Sequence, residues 1–145
     1  MDPTVERLET PEECEQYAAN VRTEFPHLAR QAHRRAVELR AAAHGAESDV
    51  EREGLEVMYA YEEALLAKHG RRVRATYTWR KIRSDGIIEA IEHAVKQRHD
   101  PTGYTTLKEM GLQDLTFEAL VMRHPSAFSE QAVAQAAKRL QQWSI

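Results

Sequence analysis

The chain has 145 residues, of which 42% are hydrophobic and 30% are charged, a composition that is typical of a soluble globular protein and too apolar for an intrinsically disordered one. The acidic N-terminal segment lacks the apolar run of a signal peptide, and no window approaches the length of a membrane-spanning helix. The single cysteine, Cys14, excludes an intramolecular disulfide and favours a reducing compartment. We therefore expect a cytoplasmic protein without a membrane partner.

Three helices are predicted in the first half of the chain. Capping signals and apolar residues at helical spacing place them at about 11–24, 26–44 and 50–69. Gly45 and Gly70 follow the second and third helices, where glycine commonly ends a helix. The third helix is the longest of the predicted set.

Beyond Gly70 the predicted helices are shorter. One covers about 75–83 and another 87–97, with a tight turn at 84–86 between them. The segment 98–106 is predicted to be a loop, in which Tyr104 packs the loop onto the core. Further helices are predicted over 107–111, 115–124 and 130–143.

Helix signals recur along the whole chain and strand signals are absent from it. The predicted fold is therefore an all-α bundle of about seven or eight helices in a single domain, with the longer helices N-terminal and the shorter ones C-terminal. A subdomain boundary is possible near 70–73, where the long helices give way to short ones.

The distribution of charge is strongly uneven. Residues 1–67 carry a net charge of −8 and residues 84–145 a net charge of −2, whereas residues 68–83 carry seven Lys or Arg and no carboxylate. We call residues 68–83 the basic segment. Such a concentration of positive charge indicates either a surface for a polyanion or a segment that pairs with acidic helices.

On a helical wheel, Ala75, Trp79 and Ile82 share one side of the basic segment, and Tyr77 lies among cations on the other. Cations neutralise phosphates and an aromatic ring can stack on a base. The leading hypothesis is therefore a non-enzymatic protein that binds the backbone of DNA or RNA. The candidate binding residues are Arg71, Arg72, Arg74, Tyr77, Arg80, Lys81 and Arg83.

Two other hypotheses remain open. The basic face can instead pair with acidic helices, in the same chain, in a homodimer or in another protein. A helix-turn-helix reader of DNA sequence is disfavoured, because Glu89 and Glu92 would repel phosphates from the second helix. The remaining hypothesis, the third after nucleic-acid binding and pairing with acidic helices, is that the chain is an enzyme whose site is not recognised in the sequence.

The seven histidines show no metal-binding pattern. Glu89 and His93 share a helix face, whereas a di-iron bundle needs two Glu-x-x-His pairs and further inward glutamates. Cys14 falls on an apolar stripe, as is typical of a small core residue. The sequence therefore predicts no catalytic residue, no metal and no cofactor.

Overall fold

The computed structural model describes residues 1–97 and 102–143, and every regular element within these ranges is helical. The α-helices are α1 (Pro3–Glu6), α2 (Pro11–Val21), α3 (Pro26–His44), α4 (Asp49–His69), α5 (Thr76–Asp85), α6 (Ile87–Lys96), α7 (Thr102–Glu109), α8 (Phe117–Arg123) and α9 (Glu130–Trp143), with a 3₁₀ turn at Pro125–Ala127. The predicted all-α class is confirmed, and the two longest helices, α3 and α4, lie in the first half as expected. Among the described helices, none combines the length and the apolar character that crossing a bilayer requires.

Local capping interactions explain where the long helices begin and end. The hydroxyl oxygen of Thr10 accepts a hydrogen bond from the Glu13 amide at the start of α2, and Ser48 does the same for Glu51 at the start of α4. Each bond satisfies an amide that has no partner within the helix. Gly70 ends α4 with a φ of 71°, a backbone conformation that favours glycine.

Helix α4 packs against α3, α6, α7 and α8. It contributes Val57, Ala60 and Ala64 to the largest apolar cluster, which also contains Ile91 and Val95 of α6. The close approach of α4 and α6 depends on Gly54, since a Cβ there would lie 2.9 Å from the Cδ1 atoms of both isoleucines that face it. Because α6 follows α5 directly, this packing also determines where α5 lies.

Two predicted boundaries are corrected by the structure. Helix α7 starts at Thr102, so the predicted loop is wrong from that residue onward, and residues 98–101 lie outside the described part. Burial of Leu107 and Met110 against the core compensates for the low helix propensity of the threonines and glycine that open α7. Helix α5 extends through Asp85, so the predicted three-residue turn is reduced to Gly86, with a φ of 90°.

Candidate nucleic-acid interface

The basic segment runs from the last turn of α4 through the Gly70 bend and along most of α5. Its attachment to the rest of the molecule depends on Glu62, a buried residue of α4. One carboxylate oxygen of Glu62 accepts hydrogen bonds from the Ala75 amide at 2.7 Å and from the Trp79 indole N–H at 2.8 Å. Since the residue before α5 provides no side-chain cap, Glu62 satisfies an amide at its start and connects it to α4.

Trp79 fixes the rotation of α5 about its axis. The side chain is only 3% exposed, which confirms its prediction as a core residue. Its ring stacks on His44 with centroids 5.5 Å apart and contacts Tyr59 at 5.2 Å. The guanidinium carbon of Arg74 lies 5.5 Å from the ring centroid, within the range of a cation–π contact. With Trp79 facing inward, the opposite face of α5 is directed to solvent.

That outer face carries Tyr77, Arg80 and Lys81, and Arg83 lies on its flank. Arg80 and Arg83 are exposed, and Tyr77 beside them is 66% exposed. Lys81 is partly buried and forms an ion pair with Asp85, with Nζ and Oδ2 2.6 Å apart. The hydrogen bond to Asp85 raises the pKa of Lys81, so this side chain stays protonated at neutral pH.

The remaining arginines of the basic segment differ in their partners. Within residues 1–97 and 102–143, no carboxylate lies within ion-pair distance of Arg71, Arg74, Arg80 or Arg83. Arg72 is different, since its Nη2 is 2.5 Å from a carboxylate oxygen of Glu15 and 3.8 Å from one of Glu63. Pairing with acidic helices of the same chain is therefore realised at Arg72, while the other four guanidinium groups have no such partner in the described part.

Arg72 is the most exposed member of a cluster of ionisable side chains between α2, α3 and α4, which we call the buried cluster. Its other members are Glu15, His33, Arg40 and Glu63. The side chain of Glu63 is 1% exposed. Burial, together with the hydrogen bond to Glu15 and the charge of Glu15, raises the pKa of Glu63 to about 9, so Glu63 carries a proton at neutral pH. Its contact with His33, 2.8 Å from Oε2 to Nδ1, is a neutral hydrogen bond, because burial lowers the pKa of His33.

Glu15 is the charged acid of this cluster. Burial alone would raise its pKa, but hydrogen bonds with Glu63 and Arg72 and the nearby Arg40 lower it. Oε1 of Glu63 is buried without a hydrogen-bond partner in the described part, which agrees with a protonated carboxyl group at this position. The cluster thus joins three helices to the start of the basic segment.

Glu15 and His33 of the buried cluster line a cavity of about 810 Å³, but Glu63 is enclosed. Glu63 has the raised pKa of a general acid, but a substrate cannot reach a side chain that is 1% exposed. Cys14 is fully buried, as predicted for a core residue, and burial raises the pKa of its thiol to about 11, so the unreactive thiol form dominates. Within the described residues, no group of three or more His, Cys, Asp or Glu side chains is arranged to hold a metal ion.

Two carboxyl groups that position the basic segment, those of Glu15 and Glu62, were not predicted from the sequence. A signal was present for Glu62, which continues the helical spacing of Leu55 and Met58 on α4 and therefore falls on an inward face. Tyr61, one position earlier on α4, is 40% exposed. Tyr104 lies in α7 and not in a loop, so its predicted role in packing a loop is wrong; its ring stacks on that of Trp143 with centroids 5.2 Å apart.

Comparison with protein-family models, with curated proteins and with solved structures gives no significant match. The functional proposal therefore depends on the charge and the geometry of the basic segment.

Proposed function

We propose that this chain is a non-enzymatic cytoplasmic protein that binds the phosphodiester backbone of nucleic acid through the basic segment. The observation that carries the proposal is the solvent-exposed side of α5, where Arg80 and Arg83 are exposed without a carboxylate partner in the described part and follow an exposed Tyr77. Phosphates are the ligands that such a face neutralises, with release of condensed counterions.

The seven candidate residues have different roles in this proposal. Arg71, Arg80 and Arg83 contact phosphates directly, and Lys81 shares its charge between a phosphate and Asp85. Arg74 lies against the ring of Trp79 and adds positive charge at the start of α5. Arg72 holds the segment in place through Glu15. Tyr77 lies beside the bound strand.

The proposal is tested by fluorescence-polarisation titrations against a short duplex and a single strand at about 50 and about 200 mM salt. With about four phosphate contacts, affinity is expected to fall roughly a hundredfold between these concentrations. The double variant Arg80→Glu and Arg83→Glu should weaken binding to both oligonucleotides and reduce the salt dependence by about two contacts.

A matched double variant controls for net charge. Arg7→Glu and Lys138→Glu change the charge equally at exposed positions outside the basic segment, so they should leave the salt dependence unchanged. Absence of binding to either oligonucleotide at low salt, or equal losses in the two double variants, would overturn the proposal.

The second candidate function is binding of an acidic protein surface, in a homodimer or another partner. The Arg72–Glu15 contact favours it, because this cation of the segment already engages an acidic helix. Light scattering of the same variants distinguishes the two functions. If Arg80→Glu and Arg83→Glu change the mass in solution while no oligonucleotide binds, the basic face is a protein interface.

A further inference from the structure

A cleft of about 580 Å³ opens beside the outer face of α5. Ala64 and Leu65 of α4 and Ala90 of α6 give it an apolar lining. Tyr61 and Tyr77 stand on opposite elements that border it, α4 and α5. Its volume falls in the range of pockets that hold small organic groups.

Two tyrosines on this cleft are unusually exposed for aromatic side chains. Tyr61 is 40% exposed and Tyr77 is 66% exposed. Both rings therefore leave apolar area in water at the margin of an apolar recess. Aromatic rings that border a groove in this way form stacking platforms for bases, and they accept any base because each has a π face.

Two lysines bring positive charge to the same cleft. Lys68 and Lys81 line it, and Arg80 lies on the adjoining outer face of α5. His93 and Gln97 of the α6 end add polar groups to its border that can hydrogen-bond the edge of a base. An apolar recess with rings at its margin and two lysines in its lining is complementary to a nucleotide, whose base is flat and apolar and whose phosphate is anionic.

We infer that this cleft receives an unpaired base of a single-stranded nucleic acid, stacked against Tyr77 while the adjacent phosphates lie on Lys68, Arg80 and Lys81. The inference rests on the proposed function and narrows its ligand to single strands. A paired base is held within the duplex stack and must be extruded before it can enter such a cleft. The outer face of α5 alone would bind both forms through their phosphates.

The test compares oligodeoxythymidylate of about ten nucleotides with a duplex of equal total charge, by fluorescence polarisation at about 50 mM salt. The single strand should bind about tenfold more tightly. Tyr77→Ala should weaken single-strand binding by about tenfold and leave duplex binding unchanged, since stacking acts only on the free base. Tyr77→Phe should bind like the wild type, because the ring and not the hydroxyl makes the contact.

Phe25→Ala is the matched control, since Phe25 is an exposed aromatic residue, at 47%, that does not line the cleft. It should leave both affinities unchanged. If the two oligonucleotides bind equally and Tyr77→Ala changes neither affinity, the base site is wrong while the proposed function stands. If neither oligonucleotide binds the wild type, both fail. Circular dichroism confirms that each variant is folded.

Discussion

The guanidinium group of Arg72 lies 2.5 Å from the carboxylate of Glu15, a residue 57 positions earlier in the chain. This contact joins the start of the basic segment to α2, and the neighbouring Glu63 extends it to α4. The acidic first part of the chain therefore holds the basic segment in position, through Glu15 at Arg72 and through Glu62 at Ala75 and Trp79.

Replacing Arg72 should cost stability, whereas replacing its neighbour should not. Arg72→Ala removes the pair with Glu15, which is mostly buried, and should lower the free energy of unfolding by about 1 kcal/mol, the upper end for a partly exposed ion pair. Arg71→Ala removes an equal charge from an exposed side chain and should leave stability within about 0.5 kcal/mol. Urea unfolding followed by circular dichroism measures both, and equal stability of the two variants would contradict the positioning role of Arg72.

The protein should become less stable as the pH rises, because the folded state holds Glu63 in its protonated form. Its pKa is 4.5 when unperturbed and about 9 in the folded chain, so between these values the unfolded state releases a proton that the folded state keeps. The contribution of Glu63 to the free energy of unfolding is therefore fully present below about pH 4.5 and decreases as the pH rises towards 9. Glu63→Gln keeps the shape and a donor without an ionisable proton, and should flatten this dependence.

Urea unfolding at a series of pH values across this interval measures the effect. Glu38→Gln is the control, since Glu38 is exposed on α3 and its replacement should retain the wild-type decrease. If the Glu63→Gln variant loses stability with rising pH as steeply as the wild type does, Glu63 is not the group that keeps its proton in the folded state.

Much of the fold was predictable because its signals are local. The caps at Thr10 and Ser48 and the stop at Gly70 each act within four residues of sequence, so they can be recognised without knowledge of the fold. Helix α7 was not predictable at its start, because its helical state depends on burial of Leu107 and Met110 against distant helices. Tertiary packing there overrides local propensity.

The candidate site likewise has features that local sequence predicts and features that depend on tertiary packing. Counting charges locates the basic segment, and the spacing of Trp79 and Ile82 correctly predicts the inner face of α5. The pairing of Arg72 could not be foreseen, since any of the many carboxylates in residues 1–67 was an equal candidate. The cleft is lined by residues of α4, α5, α6, α7 and α8, and no single segment specifies how these helices are placed together.

Glu62 should be essential for the docking of α5. Glu62→Ala leaves the Ala75 amide and the buried Trp79 indole without their acceptor, and should cost about 2–3 kcal/mol of stability, as expected for loss of a buried acceptor that serves two donors. Glu62→Gln retains a carbonyl oxygen and should lose less. Amide hydrogen exchange should show the loss concentrated in α5, and uniform exchange across all helices would contradict this anchoring role.

The ion pair between Glu118 and Arg139 predicts strong coupling between α8 and α9. The two atoms that meet are 2.9 Å apart, and both side chains are less than a tenth exposed. Either Glu118→Ala or Arg139→Ala leaves an uncompensated buried charge, which should cost about 3–5 kcal/mol. The double variant removes both charges and should cost clearly less than the sum of the single losses, because neither partner is left unpaired.

Guanidinium unfolding of all four proteins gives the coupling energy. Simple additivity would show that the two side chains stabilise the helices independently, and that packing rather than charge pairing explains the losses.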